Sequence, residues 1–196
     1  MQTNRRAMLL GLSALCAPGV ALAQATDFPK LVALGAEARC RKPELYDPSY
    51  RVIAYPMGDV ADDRGVCADT VIRAFRAGGA DLQALVHRDM KAAFAAYPQF
   101  WGLKHPDTNI DHRRVPNLET FFTRAGAKQP ANPDPALYLP GDVVSWRIPV
   151  PHIGVVSTQR TPSGRPLMAH NIGVGSQLED VLFAWPIQGW FRYRPA

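Results

Sequence analysis

The order of patterns along this chain predicts an α+β fold. Helical periodicity dominates as far as residue 124, and a two-residue period replaces it from residue 142 onward. The prolines Pro130, Pro133 and Pro135 mark the change. Helices gathered ahead of the strands, instead of alternating with them, indicate N-terminal helices packed on a C-terminal antiparallel sheet.

The first 23 residues are expected to stand outside that fold. Arg5 and Arg6 precede an apolar run from Ala7 to Leu15, and small residues lead to Ala21-Leu22-Ala23, the order of a signal peptide. Export is therefore expected, to the periplasm or beyond, by the general or the twin-arginine route. Leu15 stands where a lipoprotein cleavage site before Cys16 needs a small residue. No other apolar stretch approaches the roughly 20 residues that span a bilayer. Residues 24–196 then form a single domain, large enough for a real core. Loss of residues 1–23 removes two arginines and no acid, lowering the formal charge from +5 to +3. Scattered basic residues with no aromatic stripe argue against nucleic acid as a partner. Cys40 and Cys67 survive cleavage in an oxidising compartment, so a disulfide and two free thiols are both open.

The elements follow in order. Leu31, Val32, Leu34, Ala36 and Ala38 have helical spacing between Asp27 and Arg41, and Pro43 stops the run. Tyr50–Tyr55 alternates and is β-rich, so a strand is expected there. A helix opens at Gly65, with Val71, Ile72 and Phe75 apolar, Asp69 and Arg73 spaced as an i,i+4 pair, and Gly78-Gly79 as terminator. Asp81 caps the next helix, which ends before Pro98. Residues 97–115 combine aromatics with a polar cluster and are read as an ordered loop, followed by a short helix over Asn117–Arg124. Four strands are expected at Asp142–Trp146, His152–Thr158, Leu167–Asn171 and Gly189–Tyr193. The four tryptophans are read as core, with no role in a site.

Cys67 stands in the first turn of its helix, where unpaired N–H groups and the positive end of the dipole favour a thiolate. Its bland reading is a small buried hydrophobe on the face of Val71 and Phe75. His152 opens a strand, a rigid place from which to aim a base at a helix terminus. His170 or Asn171, on the next strand, can orient His152. Alternation lets one of them face the cleft, and His170 is the one chosen. Within the polar segment Asp107–Arg114, Asp111, His112, Arg113 and Arg114 are candidates for substrate binding, with the adjacent arginines suited to a carboxylate.

Tyr55-Pro-Met-Gly-Asp59, Gly65-Val-Cys67-Ala-Asp69, Asp81-Leu-Gln, Asp111-His-Arg-Arg-Val-Pro-Asn117, Pro140-Gly-Asp142-Val-Val-Ser-Trp146, His152-Ile-Gly and His170-Asn-Ile-Gly173 together resemble the exported bacterial family catalogued as domain of unknown function 1287. That order of blocks is in turn similar to NlpC-type cell-wall cysteine peptidases of the papain-like class. The resemblance implies a papain-like fold and a thiol amidase or endopeptidase acting on peptidoglycan stem peptides. It assigns Cys67 as nucleophile, His152 as base, His170 as orienter and Tyr55 as a helper at the oxyanion. A monomer with no cofactor and no metal is expected. Two other readings are open. One is a non-catalytic cell-wall binding module that uses Arg113 and Arg114. The other is a metal hydrolase drawing on His105, Asp107, Asp111, His112, His152 and His170, although no recognised ligand spacing is present.

Overall fold

A computed structural model describes residues 27–195. The proposed signal peptide, residues 1–23, lies outside the described residues. Helix α1 (Phe28–Arg39) is followed by a two-residue strand β1 (Leu45–Tyr46), which runs parallel to β2 (Arg64–Gly65). Helices α2 (Cys67–Ala77), α3 (Leu82–Ala93) and α4 (Val115–Arg124) come next. The chain finishes in β3 (Val143–Ile148), β4 (Val150–Arg160), β5 (Pro166–Asn171), β6 (Ser176–Glu179) and β7 (Ile187–Phe191), an antiparallel sheet of order β6-β5-β4-β3-β7. The fold is thus α+β, helices first and antiparallel sheet afterwards, as the periodicity predicts. No helix among the described residues is long and apolar enough to cross a membrane.

The sheet is buried on both faces, which explains why Val143-Val144 and Ile153–Val156 read as near-continuous apolar runs. One face packs Val143, Ile153, Val155 and Ala169 against Val32, Phe75 and Phe122 of the helices. The other face carries Val144, Trp146, Val156, Met168 and Trp190, covered by Tyr138 and Leu182. Because successive residues of a strand point to opposite faces, the two layers sort the functional side chains as well.

Two expected features are absent. Residues 50–55 form no strand, because the neighbours supply side chains instead of a ladder: Ile53 N–H donates to Asn109 Oδ1 and Gln83 Nε2 donates to the Ala54 carbonyl. Asp69 does not pair with Arg73. The Asp69 carboxylate turns inward to Val66 and Arg113, and Arg73 reaches Asp59 and Glu44. The sequence reading also passed over β6, which is only four residues long.

One buried carboxylate ties the helical layer to the end of the sheet. Glu44 Oε1 accepts from Arg39 (Nη2, 2.8 Å) and Arg73 (Nη1, 2.6 Å), while Oε2 accepts from Asn171 Nδ2 (3.1 Å) and Ser176 Oγ (2.7 Å). A buried charge persists only when its oxygens are satisfied in this manner. The hub brings α1, α2 and the β5–β6 turn to one point beside the start of α2.

Candidate active site

Cys67 is the first residue of α2, and the helix start is set by Asp69, whose Oδ2 accepts the Val66 N–H at 2.7 Å. Asp69 is held in turn by Arg113 through Nε (2.8 Å) and Nη2 (2.9 Å), an ion pair whose two side chains are each 2% exposed. The backbone N–H groups of Ile153, Ala68 and Cys67 itself favour the ionised sulfur, although none forms a hydrogen bond with it among the described residues. Burial nonetheless pushes the thiol up to about 12, with Asp69 adding to the rise against those N–H groups. The helix mouth therefore does not hold a resting thiolate, contrary to expectation, because burial outweighs the dipole. Cys40 is also a free thiol, pushed up to about 12 by burial, with Glu37 and Glu44 contributing, so no disulfide silences Cys67.

His152 pairs across the strands with Trp146 and lies against its ring, with centroids 5.7 Å apart and planes 29° apart. Trp185 closes on it edge-on. His152 Nε2 is 2.8 Å from His170 Nδ1, and His170 Nε2 is 3.0 Å from Glu179 Oε2. A carboxylate only accepts, so His170 carries its proton on Nε2 and accepts at Nδ1. His152 must then donate from Nε2, which leaves the lone pair of its Nδ1 as the basic atom. No hydrogen bond to that Nδ1 occurs among the described residues. Burial, with His170 second, pushes His152 down to about 4, so at neutral pH its ring is uncharged. His170 is likewise lowered by burial, partly opposed by Glu179.

The expected direct Cys67–His152 hydrogen bond is not formed among the described residues. Alternation in β4 explains this: Ile153 faces the helical layer with Cys67, and His152 faces the layer of Trp146. Pairing of β4 with β5 begins at Gly154 opposite His170, so His152 stands ahead of that ladder.

The remaining sequence candidates divide. Asn171 turns to the helical layer, where it donates to Glu44 and accepts the Gly173 N–H, so it does not orient His152. Tyr55 is 44% exposed and meets His87 edge-on, away from the sulfur. The tyrosine beside Cys67 is Tyr46, whose phenol is raised by burial and by the proximity of Cys67 and Asp69. A two-residue strand shows no period, so the sequence offered no handle on Tyr46. Glu179 was missed with β6. Asp111 is buried and accepts from the Asp107 N–H (2.6 Å) and Arg114 (3.1 Å), and His112 is buried and pushed down to about 3 by burial, with Arg113 and Arg76 adding to it. Arg113 is consumed by Asp69. Asp111 and His112 support the loop, while Arg113 lines the Cys67 cavity with its guanidinium already held by Asp69. Arg114 is the accessible one, stacked 4.0 Å over the Trp101 ring.

Arg114 and Trp101 wall a cavity of about 510 Å³, with Tyr46, Tyr50, Cys67 and Pro151 among its other residues. Cys67 is 6% exposed at its floor. Among the described residues no three His, Cys, Asp or Glu side chains gather in a way that could hold a metal ion.

The family model described as Domain of unknown function (DUF1287) matches residues 33–193. The Uncharacterized protein YijF of Escherichia coli strain K12 is 53% identical over 164 residues, covering 83% of this chain and 80% of that protein. Among solved structures, NlpC1 from Trichomonas vaginalis aligns with a TM-score of 0.46 and 14% identity over 89% of this chain. The chain spans about half of that structure, 47% of its length.

Proposed function

The chain belongs to the DUF1287 family, and we propose that it is an exported thiol hydrolase, an amidase or endopeptidase that cleaves amide bonds of peptidoglycan stem peptides. The observation that carries this reading is the directed chain Glu179–His170–His152, which ends in an unbonded Nδ1 on the residue next to Ile153, whose backbone amide favours the ionised Cys67 sulfur. In a hydrolase it leaves a lone pair ready to take the thiol proton.

In this mechanism the thiol and imidazole rest neutral, and His152 Nδ1 takes the Sγ proton as the sulfur attacks the carbonyl, a step that requires the two side chains, set on opposite faces of β4, to come together when substrate binds. The carbonyl oxygen gains negative charge near the N–H groups at the α2 start, with Tyr46 beside them. His152 then returns the proton to the leaving amine. Water attacks the thioester, which restores the thiol.

The test is release of soluble peptides from purified sacculi. Wild-type protein should release them, and Cys67→Ala should fall to the buffer background with its unfolding midpoint little changed. Full release by Cys67→Ala would overturn the reading. Sacculus binding by the wild type without any release would favour a non-catalytic cell-wall module.

A further inference from the structure

Beside the Cys67 cavity lies a larger one, of about 880 Å³, and Trp101, Pro116 and Pro151 line both. The two are therefore arms of one groove, divided by those three residues. Apart from Pro151 of β4, the larger arm is built from the residues after α3, one side of α4, and the ends of β3 and β7.

The polar groups of this arm carry both signs. Lys128 lines it, is exposed, and makes no salt bridge among the described residues. Arg147 lines it too, held 3.6 Å from Glu119 Oε2. The second oxygen, Glu119 Oε1, is buried and has no hydrogen-bond partner. A buried carboxylate oxygen without a donor is costly, and a ligand donor reaching it recovers that cost. Arg124, the remaining cation, is already taken by Asp89. The vacant capacities are thus one cation, Lys128, for an anion, and one carboxylate oxygen, Glu119 Oε1, for a cationic N–H group. Phe100 and Trp101, 77% and 40% exposed, supply an apolar wall between solvent and these charges.

We propose that the larger arm is a subsite for a zwitterionic amino-acid group, a free ammonium and a free carboxylate on one residue, with Glu119 taking the ammonium and Lys128 the carboxylate. Its occupant is the part of a stem peptide that extends past Trp101 from the amide at Cys67. This rests on the hydrolase reading for the identity of the peptide, though not for the chemistry of the subsite. It also moves carboxylate recognition away from Arg113, which the fold consumes.

The probe is a soluble stem tripeptide ending in a diamino acid with free ammonium and carboxylate, together with two derivatives, one N-acetylated and one amidated at that residue. Binding is followed by Trp101 fluorescence or calorimetry on Cys67→Ala protein, so that turnover plays no part. The zwitterion should bind, and Lys128→Ala should weaken it about fivefold, on the scale of a partly screened charged contact, while leaving the amidated derivative unaffected. Glu119→Gln should weaken the zwitterion and leave the acetylated derivative unaffected. Equal binding of all three ligands to all variants, or no binding of any, overturns the subsite. Cleavage of sacculi without tripeptide binding would sink the subsite and leave the hydrolase standing. The predicted ligand selectivity without cleavage would do the reverse.

Discussion

A His152→Ala variant is expected to hydrolyse sacculi about 10²–10⁴-fold more slowly than the wild type, the range spanned by a positioned general base. The basis is the protonation state of the resting site. The Cys67 thiol is pushed up to about 12 and His152 down to about 4, so neither is charged at neutral pH. A preformed thiolate would keep much of its reactivity without a base. A neutral thiol must lose its proton during attack, and His152 Nδ1 is the acceptor left free by the Glu179–His170 chain. The dependence on pH follows with its sign. His152 gains a proton as pH falls through its depressed value near 4, so hydrolysis should decline on the acid side there, well below the ordinary histidine range. Initial rates from pH 3.5 to 8 check this. A decline centred near 6.5 would mean an imidazole that titrates as though in water.

The second large effect is on stability. Arg113→Leu is expected to destabilise the fold by about 3–5 kcal/mol, because it strands the Asp69 carboxylate in a site it shares with no other cation at hydrogen-bonding range. The same carboxylate holds the Val66 N–H, so the loss falls on the start of α2 and on the position of Cys67. Arg114→Leu is the control. Arg114 lies over Trp101 with its side chain 16% exposed, and Asp111 keeps the Asp107 N–H when it is removed, so its loss should cost less, about 1–3 kcal/mol. Urea midpoints for the two variants distinguish a fully buried structural arginine from a partly buried one at the groove. Equal midpoints would return Arg113 to the role of a substrate clamp.

Much of the fold was legible because its signals are local. Asp81 accepts the Gln83 N–H at the start of α3 as a cap should, and Gly79, at a φ of 89°, ends α2 in a conformation that suits glycine. The change of period near residue 142 located the sheet. What stayed hidden depends on partners far apart in sequence. Tyr50–Tyr55 has the composition of a strand and no edge to join, and composition cannot report the lack of a neighbour. Arg113 and Arg114 are adjacent and chemically alike, yet Asp69, 44 positions before Arg113, buries one of them and leaves the other at the groove. His170 and Asn171 were separable in principle, because alternation sends one to each layer, but which layer holds His152 is set by Trp146 across the strand. The tryptophans were read as core with no site role. Trp146 and Trp185 do flank His152 in that layer, and Trp101 walls both arms of the groove, a position only the packed loop creates.

Covalent capture is the sharpest probe of the Cys67–His152 pairing. The protein is incubated at neutral pH with a stem-peptide analogue bearing an electrophilic carbon in place of the scissile carbonyl, and the modified residue is then mapped. One adduct, on Cys67, should form in the wild type and form at least about 100-fold more slowly in His152→Ala. An adduct confined to Cys40, or a Cys67 adduct forming equally fast with and without the His152 imidazole, would contradict the mechanism.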